Sequence, residues 1–232
     1  MKVTLSFEKT SSSDVSIMVD ALRASTTITM ALNNFKRIIP CFTPKEAFEL
    51  KEKYDAVIAG ERNGKQIEGF DLGNSPQLAR DYKTEKDTLI LTTSNGTRIL
   101  KNMTSTVLVG GIVNAKSVAD AGCRIAESHI DVVMAGYKGD FADEDFLAAG
   151  EILHWISKNL NDDCDISHYA QSAINESRDY DALKERFLNC NSAIYLKELN
   201  YEKDIEYCLL KNVTENVAIY ENGELKLISK KD

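Results

Sequence analysis

The residues best suited to chemistry lie in one short segment, 20–27, which combines a carboxylate, a guanidinium and three hydroxyl groups. These groups belong to Asp20, Arg23, Ser25, Thr26 and Thr27. The segment follows an apolar run typical of a buried strand, residues 15–19, and precedes a helix-compatible run, residues 28–32. Ligands of open α/β sheets bind at the carboxyl ends of strands, and a helix start offers free N–H groups that suit a phosphate. The segment therefore predicts a site for a phosphorylated anion.

Four other polar segments complete this predicted site: residues 61–75, 92–98, 110–111 and 136–145. Four of the five segments follow a predicted strand, so a parallel sheet would bring them together at one edge. They supply the carboxylates of Asp20, Glu61, Asp71, Asp143, Glu144 and Asp145, the guanidinium groups of Arg23, Arg62 and Arg98, and the amides of Asn74 and Asn95.

These residue types favour phosphoryl transfer. Carboxylates beside hydroxyls and amides form a hard-oxygen site, which suits Mg²⁺ rather than zinc. Arginines bind phosphate, sulfonate or carboxylate oxygens through paired N–H donors. Enzymes that transfer or release a phosphoryl group commonly use Mg²⁺ together with guanidinium groups.

Each residue also has a structural interpretation when it is taken alone. Asp20 could cap the following helix, and Ser75 is better placed to cap a helix that begins at Pro76 than to act as a nucleophile. Asp143 is typical of the first-turn acids that compensate a helix dipole, and Thr93 is typical of a strand end. The functional hypothesis therefore depends on the occurrence of all these residues together.

Familiar phosphate-binding and catalytic motifs do not account for the pattern. The segment 60–66 superficially resembles a P-loop, but it is one residue short and lacks a hydroxyl residue after Lys65. No G-x-G-x-x-G fingerprint and no G-x-S-x-G nucleophile elbow occur. Asp20 also lacks a second aspartate two residues on, so an aspartyl-phosphatase pattern is absent.

Composition excludes several classes of function. The chain of 232 residues has a formal net charge of −8 and no basic block, which argues against nucleic-acid binding. No apolar run approaches the roughly 18 residues of a membrane helix, so we expect a cytoplasmic protein without membrane contact. Five scattered cysteines without a C-x-x-C pair favour reduced thiols over disulfides or zinc.

Strands and helices alternate over about the first two thirds of the chain, which predicts an α/β fold with three α/β/α layers and a largely parallel or mixed sheet. We expect one domain, 1–232, with a less regular C-terminal part, 161–232. The predicted strands are 3–7, 15–19, 37–42, 56–59, 88–91, 106–109 and 130–135, with a terminal hairpin of 216–220 and 225–228. The predicted helices are 26–32, 44–54, 76–82, 113–128, 143–160, 179–188 and 202–210, and residues 61–75 are expected to form a long loop.

Four ordered motifs resemble the 2-phosphosulfolactate phosphatase family. They are V-D-A-L-R-A-S-T-T (19–27), G-E-R-N-G with G-F-D-L-G-N-S-P (60–76), T-T-S-N-G-T-R (92–98), and A-G-Y-K-G with E-D-F-L-A-A-G (135–150). Ala21 stands where we expect valine and Ser94 where threonine is common, and a fainter similarity continues through residues 191–210. The last third of the chain departs most from the family.

The resemblance implies a Mg²⁺-dependent phosphatase with a three-layer α/β fold. Such an enzyme hydrolyses (R)-2-phospho-3-sulfolactate to 3-sulfolactate and phosphate on the route to coenzyme M. A phosphatase for another small acidic phosphate and a non-catalytic anion-binding relative remain alternatives. The sequence does not settle the oligomeric state, and a homodimer is one arrangement that it allows.

Combining the motifs with this resemblance, we assign a catalytic group and a substrate-binding group. The catalytic group is Asp20, Arg23, Ser25, Glu61 and Asp145, of which Asp20, Glu61 and Asp145 are the expected metal ligands. The substrate-binding group is Arg23, Thr26, Arg62, Asn74, Ser75, Thr93, Asn95, Gly96 and Arg98. In-line attack by a metal-activated water is the expected mechanism, and a covalent route through Asp20 or Ser25 is the alternative.

Overall fold

A computed structural model describes residues 1–96, 99–100, 103–161 and 163–228 of the chain. Its strands are β1 (Lys2–Phe7), β2 (Val15–Val19), β3 (Arg37–Pro40), β4 (Val57–Arg62), β5 (Lys65–Gln66), β6 (Thr88–Thr92), β7 (Thr106–Gly110), β8 (His129–Met134), β9 (Asp165–Ile166), β10 (Ala218–Glu221) and β11 (Glu224–Leu227). Its helices are α1 (Ala24–Ala31), α2 (Pro44–Tyr54), α3 (Pro76–Asp81), α4 (Ala115–Ile125), α5 (Asp143–Leu160), α6 (His168–Ser177), α7 (Tyr180–Leu188), α8 (Asn191–Glu198) and α9 (Glu202–Cys208).

The described strands form one mixed sheet in the order β5-β4-β6-β3-β11-β10-β7-β2-β8-β1-β9. The pairs β4/β6, β6/β3, β7/β2, β2/β8 and β8/β1 are parallel, so their carboxyl ends lie at one edge. Antiparallel pairing is confined to β5, β10 and β11 among the described strands. This sheet confirms the predicted fold class.

Helices cover both faces of the sheet. Successive residues of a strand point to opposite faces, and in the central strands both sets are apolar, so each face needs a covering layer. Ile17 and Val132 point toward a core formed with α4, α5 and α6. Met18 and Val133, each next to one of them in sequence, point to the opposite face, where α1 and α3 pack. A smaller apolar cluster lies between α2 and the strands β3, β4 and β6, on the same face of the sheet as α4, α5 and α6. The result is the expected α/β/α arrangement.

The predicted terminal hairpin is confirmed, and it occupies the middle of the sheet. Asn222 and Gly223 have φ values of 51° and 83°, which an Asn-Gly hairpin turn favours. Strand β10 pairs with β7, and β11 pairs with β3. The last strands of the chain therefore join the two parallel halves of the sheet.

Two regions differ from the sequence prediction. Strand β4 continues through Arg62 and turns back at Asn63 and Gly64 to pair with β5, where we expected an unstructured loop. Residues 163–228 are more regular than expected, because α6 and α8 were not predicted. Helix α8 buries only Ala193 and Leu196, so its apolar periodicity is too short to recognise.

Among the described residues, no helix is long and apolar enough to cross a lipid bilayer. The expectation of a single domain over 1–232 stays a prediction.

Replacing Gly150 with alanine should destabilise the fold by about 2 kcal/mol through overpacking, although alanine favours a helix by about 1 kcal/mol. A Cβ at Gly150 in α5 would lie 2.2 Å from the backbone oxygen of Ala173 in α6. Urea denaturation of both proteins measures the loss. The control is Gly122→Ala in α4, where the new Cβ meets only the end of the Ile17 side chain at 3.2 Å. A loss at Gly150 no larger than at Gly122 would contradict this packing.

Candidate active site

A cavity of about 290 Å³ opens at the carboxyl ends of β2, β4, β6 and β8. Its size is near the lower end of the range for small-molecule sites. Six of the predicted site residues line it: Asp20, Arg23, Glu61, Asn74, Thr93 and Asn95. The structure thus confirms that loops distant in sequence meet at one edge of the sheet.

Asp20 lies at the turn from β2 to α1 and is almost completely buried. Its Oδ1 accepts a hydrogen bond from the Ala24 amide at 3.3 Å, and its Oδ2 accepts one from the Gly96 amide at 3.1 Å. Burial raises the pKa of Asp20 to about 7, and the negative charges of Glu61 and Glu144 raise it as well. The carboxyl group can therefore exchange a proton near neutral pH.

Asp145, in the first turn of α5, lies behind Asp20 and outside the cavity lining. Its two oxygens accept hydrogen bonds from the Ala21 amide at 2.7 Å and the Gly136 amide at 2.8 Å. Burial, together with the charge of Asp20, raises the pKa of Asp145 well above its usual range. Asp145 therefore joins the loops that follow β2 and β8.

Glu61 has a similar arrangement at the end of β4. Its Oε1 accepts a hydrogen bond from the Ser94 amide at 2.7 Å, and its Oε2 accepts one from the Gly64 amide at 2.8 Å. These bonds connect the β4–β5 hairpin to the loop after β6. Glu61 also lines the cavity, so it combines this structural role with direct access to a ligand.

The expected metal ligands Asp20, Glu61 and Asp145 stay a prediction, and their side chains do not surround one common point. Within the described parts of the chain, no three carboxylate, imidazole or thiol side chains are arranged to hold one metal ion. The oxygens of Glu61 and Asp145 accept backbone amides instead. Asn74 provides a different oxygen, because its buried Oδ1 lines the cavity and has no hydrogen-bond partner among the described residues.

Arg23 lines the cavity, but neighbouring groups fix its position. Nη1 donates to Oδ2 of Asp204 at 2.6 Å, and Nη2 donates to the Gly64 carbonyl at 2.8 Å. The guanidinium lies 4.2 Å from the ring centroid of Tyr201. Asp204 also accepts a 2.6 Å hydrogen bond from Ser75. Helix α9, near the end of the chain, thus determines where Arg23 presents its charge.

Arg62 does not take part in the cavity as predicted. Its Nη1 donates to the Glu61 carbonyl, and its Nη2 donates to the Phe42 carbonyl and to Oγ1 of Thr92. These bonds hold the end of β4 against β6. Arg98, the third predicted anion-binding arginine, lies outside the described residues.

The other predicted contacts lie behind the cavity wall. Ser25 Oγ is fully buried and accepts a hydrogen bond from the Asp20 amide at 2.8 Å, so this hydroxyl shapes the turn. Thr26 is buried beside the thiol of Cys208. Ser75 caps α3, as its structural interpretation predicted, and Gly96 contacts Asp20 through its amide. None of these four residues lines the cavity.

Several lining residues were missed by the sequence analysis. Lys138 adds a cation from the loop after β8, while Asn191, Ser192 and Tyr195 come from α8. Lys138 belongs to the quoted A-G-Y-K-G motif, so its position between glycines in a strand-end loop was an available signal. The α8 residues had no such signal.

The fold and the cavity define an α/β enzyme with a small site, lined by charged, amide and apolar groups, at the carboxyl ends of its strands. A family model described as 2-phosphosulpholactate phosphatase matches residues 3–223. The 2-phosphosulfolactate phosphatase of Methanothermobacter thermautotrophicus is 41% identical over 98% of this chain and 96% of its own length. The corresponding protein of Methanocaldococcus jannaschii is 36% identical over 93% of this chain and 92% of its own length. The chain belongs to the 2-phosphosulfolactate phosphatase family, and its enzymatic class is that of the phosphoric monoester hydrolases.

The pKa of Asp20 predicts how its replacement changes stability with pH. Because the native state raises this pKa from 3.8 to about 7, ionisation of Asp20 lowers the free energy of unfolding as the pH rises through that interval. The free energy of unfolding of metal-free Asp20→Asn, relative to the unsubstituted protein, should therefore be higher at pH 8 than at pH 4.5 by roughly 2–4 kcal/mol. Denaturation in the presence of a chelator measures both differences. An equal effect at the two pH values would contradict the raised pKa.

Replacing Asp204 with alanine should reduce the free energy of unfolding by about 3–5 kcal/mol, because it leaves the buried guanidinium of Arg23 without its ion-pair partner. Asp81→Ala is the matched control, since it removes an exposed partner of Arg80 and should change stability little. Urea denaturation compares the two variants. Equal losses would show that the Arg23–Asp204 pair does not organise this part of the structure.

Proposed function

We propose that this protein catalyses the Mg²⁺-dependent hydrolysis of (R)-2-phospho-3-sulfolactate to 3-sulfolactate and phosphate. The observation that carries the proposal is the placement of Asp20, a buried carboxylate with a pKa of about 7, in the wall of the strand-end cavity. The name shared by the archaeal relatives supplies the substrate, since both are 2-phosphosulfolactate phosphatases. The cytoplasmic location and the role in coenzyme M formation belong to the same proposal.

The cavity suits a small ligand with several anionic groups. Arg23 and Lys138 contribute positive charge from the loops that follow the neighbouring strands β2 and β8, and Asn95 and Asn191 add amide groups that can donate hydrogen bonds. The proposed substrate carries a phosphate, a sulfonate and a carboxylate on three carbons. The two cations and the amide donors can orient such a molecule. The carboxylates of the cavity wall repel an anion unless a bound metal cation offsets their charge.

The donor chemistry of the cavity fits Mg²⁺. This ion binds through one or two carboxylates together with substrate phosphate and water. Asp20 and Asn74, whose Oδ1 has no hydrogen-bond partner within the described ranges, are the oxygen donors that would hold it, and Glu61 also lines the cavity. When bound, the ion would neutralise phosphate charge and lower the pKa of a bound water.

The protein groups can support direct hydrolysis. Attack of water on phosphorus forms a new P–O bond, breaks the ester P–O bond and transfers one water proton away. A carboxylate oxygen of Asp20 that does not hold the ion can accept that proton, since a carboxylate positioned beside the attacking water can act as a general base. Arg23 and Lys138 stabilise the charge on the phosphoryl oxygens. The released alkoxide is protonated to give the hydroxyl of 3-sulfolactate.

The covalent alternative is less compatible with Ser25 than with Asp20. The Ser25 hydroxyl is fully buried in the β2–α1 turn, where it receives the Asp20 amide, and it does not line the cavity. Asp20 does line it, so an aspartyl-phosphate remains the competing mechanism. Rapid-mixing experiments distinguish the two routes, since a stoichiometric burst of phosphorylated protein would exclude direct attack of water.

Phosphate release from a panel of 2-phospho acids, with and without Mg²⁺, tests the proposal. We expect Mg²⁺-dependent release with 2-phospho-3-sulfolactate as the preferred substrate. Asp20→Asn should lower kcat by about 100-fold or more, since it removes the proton acceptor. The control is the exposed Asp87→Asn, which should retain full activity.

If the protein prefers another compound of the panel, the proposed substrate is wrong but the assignment as a phosphatase stands. Tight binding of the panel compounds without phosphate release would favour a non-catalytic anion-binding protein. A near-normal kcat for Asp20→Asn would show that Asp20 is not the proton acceptor.

A further inference from the structure

A second cleft, of about 220 Å³, lies between α5, the end of α6 and the segment that follows α9. Trp155 forms part of its lining, together with Glu151, His154, Arg178 and Lys211. None of these residues lines the catalytic cavity. Trp155 is ten residues beyond Asp145 in α5, about 15 Å along the helix axis. The cleft is therefore a separate feature of the surface.

The acidic group in this cleft is already neutralised. Glu151 is buried, and its Oε2 accepts a hydrogen bond from Lys211 Nζ at 2.7 Å. Its Oε1 accepts a second one from Trp155 Nε1 at 3.2 Å. Both carboxylate oxygens of Glu151 thus have donors within the protein, and Lys211 balances their charge.

Besides the Glu151–Lys211 pair and His154, the charged group in the described lining is Arg178, and two lysines contact the Trp155 ring from outside that lining. Lys158 Nζ lies 4.9 Å and Lys116 Nζ lies 5.4 Å from the ring centroid of Trp155. Arg178 enters the cleft from the end of α6, and no carboxylate pairs with it in the part of the chain that the structure describes. Burial lowers the pKa of His154, and the charges of Lys158, Lys211 and Arg178 lower it further despite Glu151. The cleft is thus a basic region in a chain with a net charge of −8.

We propose that this cleft binds a small tetrahedral oxyanion, a phosphate or a sulfonate, at Arg178 and beside Trp155. A guanidinium without a carboxylate partner can donate two parallel hydrogen bonds to such an anion. Lys116 and Lys158 are not part of the cleft lining, but their charges against the Trp155 ring add positive potential, and the cleft volume accommodates the anion with part of its hydration. Since the catalytic cavity contributes no residue, the site does not depend on the proposed phosphatase activity.

Trp155 provides a direct test, because it is the single tryptophan of the chain. Inorganic phosphate, inorganic sulfate and methanesulfonate are titrated separately while the fluorescence of the full chain is recorded. Sodium chloride at matched ionic strength controls for screening. We expect a saturable change with at least one of the three oxyanions and none with chloride. The order of the three half-saturating concentrations shows whether phosphate or sulfonate chemistry is preferred.

Arg178 is exposed, so Arg178→Gln leaves the core intact. This substitution removes a charge-assisted hydrogen bond and should raise the half-saturating concentration of the oxyanion about tenfold. Lys184→Gln, an equal change of charge at an exposed position of α7 outside the cleft, should leave the titration unchanged. No saturable change with any oxyanion, an equal response to chloride, or an unaltered titration of Arg178→Gln would each overturn the proposal.

Discussion

The site depends on one kind of interaction, in which a buried carboxylate accepts backbone amides from two separate loops. Asp20, Glu61 and Asp145 each do so, with distances from 2.7 to 3.3 Å. A hydrogen bond contributes about 0.5–1.5 kcal/mol, and about 1.5–3 kcal/mol where the acceptor is charged. The raised pKa values of Asp20 and Asp145 place their hydrogen bonds nearer the neutral value at neutral pH. Strand-end loops have few apolar contacts of their own, so these bonds give them a defined position. The acids that we selected for their chemistry therefore also build the cavity that contains them.

The same arrangement has an electrostatic consequence. Burial opposes the ionisation of Asp20 and Asp145, and the proximity of Glu144 adds repulsion that raises both pKa values. Of the two cations in the described cavity lining, Arg23 is held in a buried ion pair with Asp204. The structural role of the acids and the raised pKa values of Asp20 and Asp145 thus have a common origin.

Local patterns predicted most of the fold and the cavity loops, but not the direction of individual side chains. The bounds of α5 were predicted correctly, because acidic residues begin it and a long amphipathic pattern follows. Arg23 and Arg62 had equivalent positions in the sequence argument, since both lie at the carboxyl end of a strand. Only packing distinguishes them, because Asp204 holds Arg23 beside the cavity while backbone carbonyls hold Arg62 away from it. Asp204 had no local signal, because an acid in the first turn of a helix is common.

The last quarter of the chain connects the loops around the cavity to the fold as a whole. Helix α8 contributes a wall of the cavity, and α9 contributes Asp204, which binds Arg23 in the turn between β2 and α1. Strands β10 and β11 then separate β3 from β7, so the two parallel halves of the sheet are not hydrogen-bonded to each other without them. Residues that follow the four recognisable motifs thus complete both the sheet and the site. Since Asp204 of α9 holds Arg23, the position of this charge in the cavity wall depends on a helix from the last quarter of the chain.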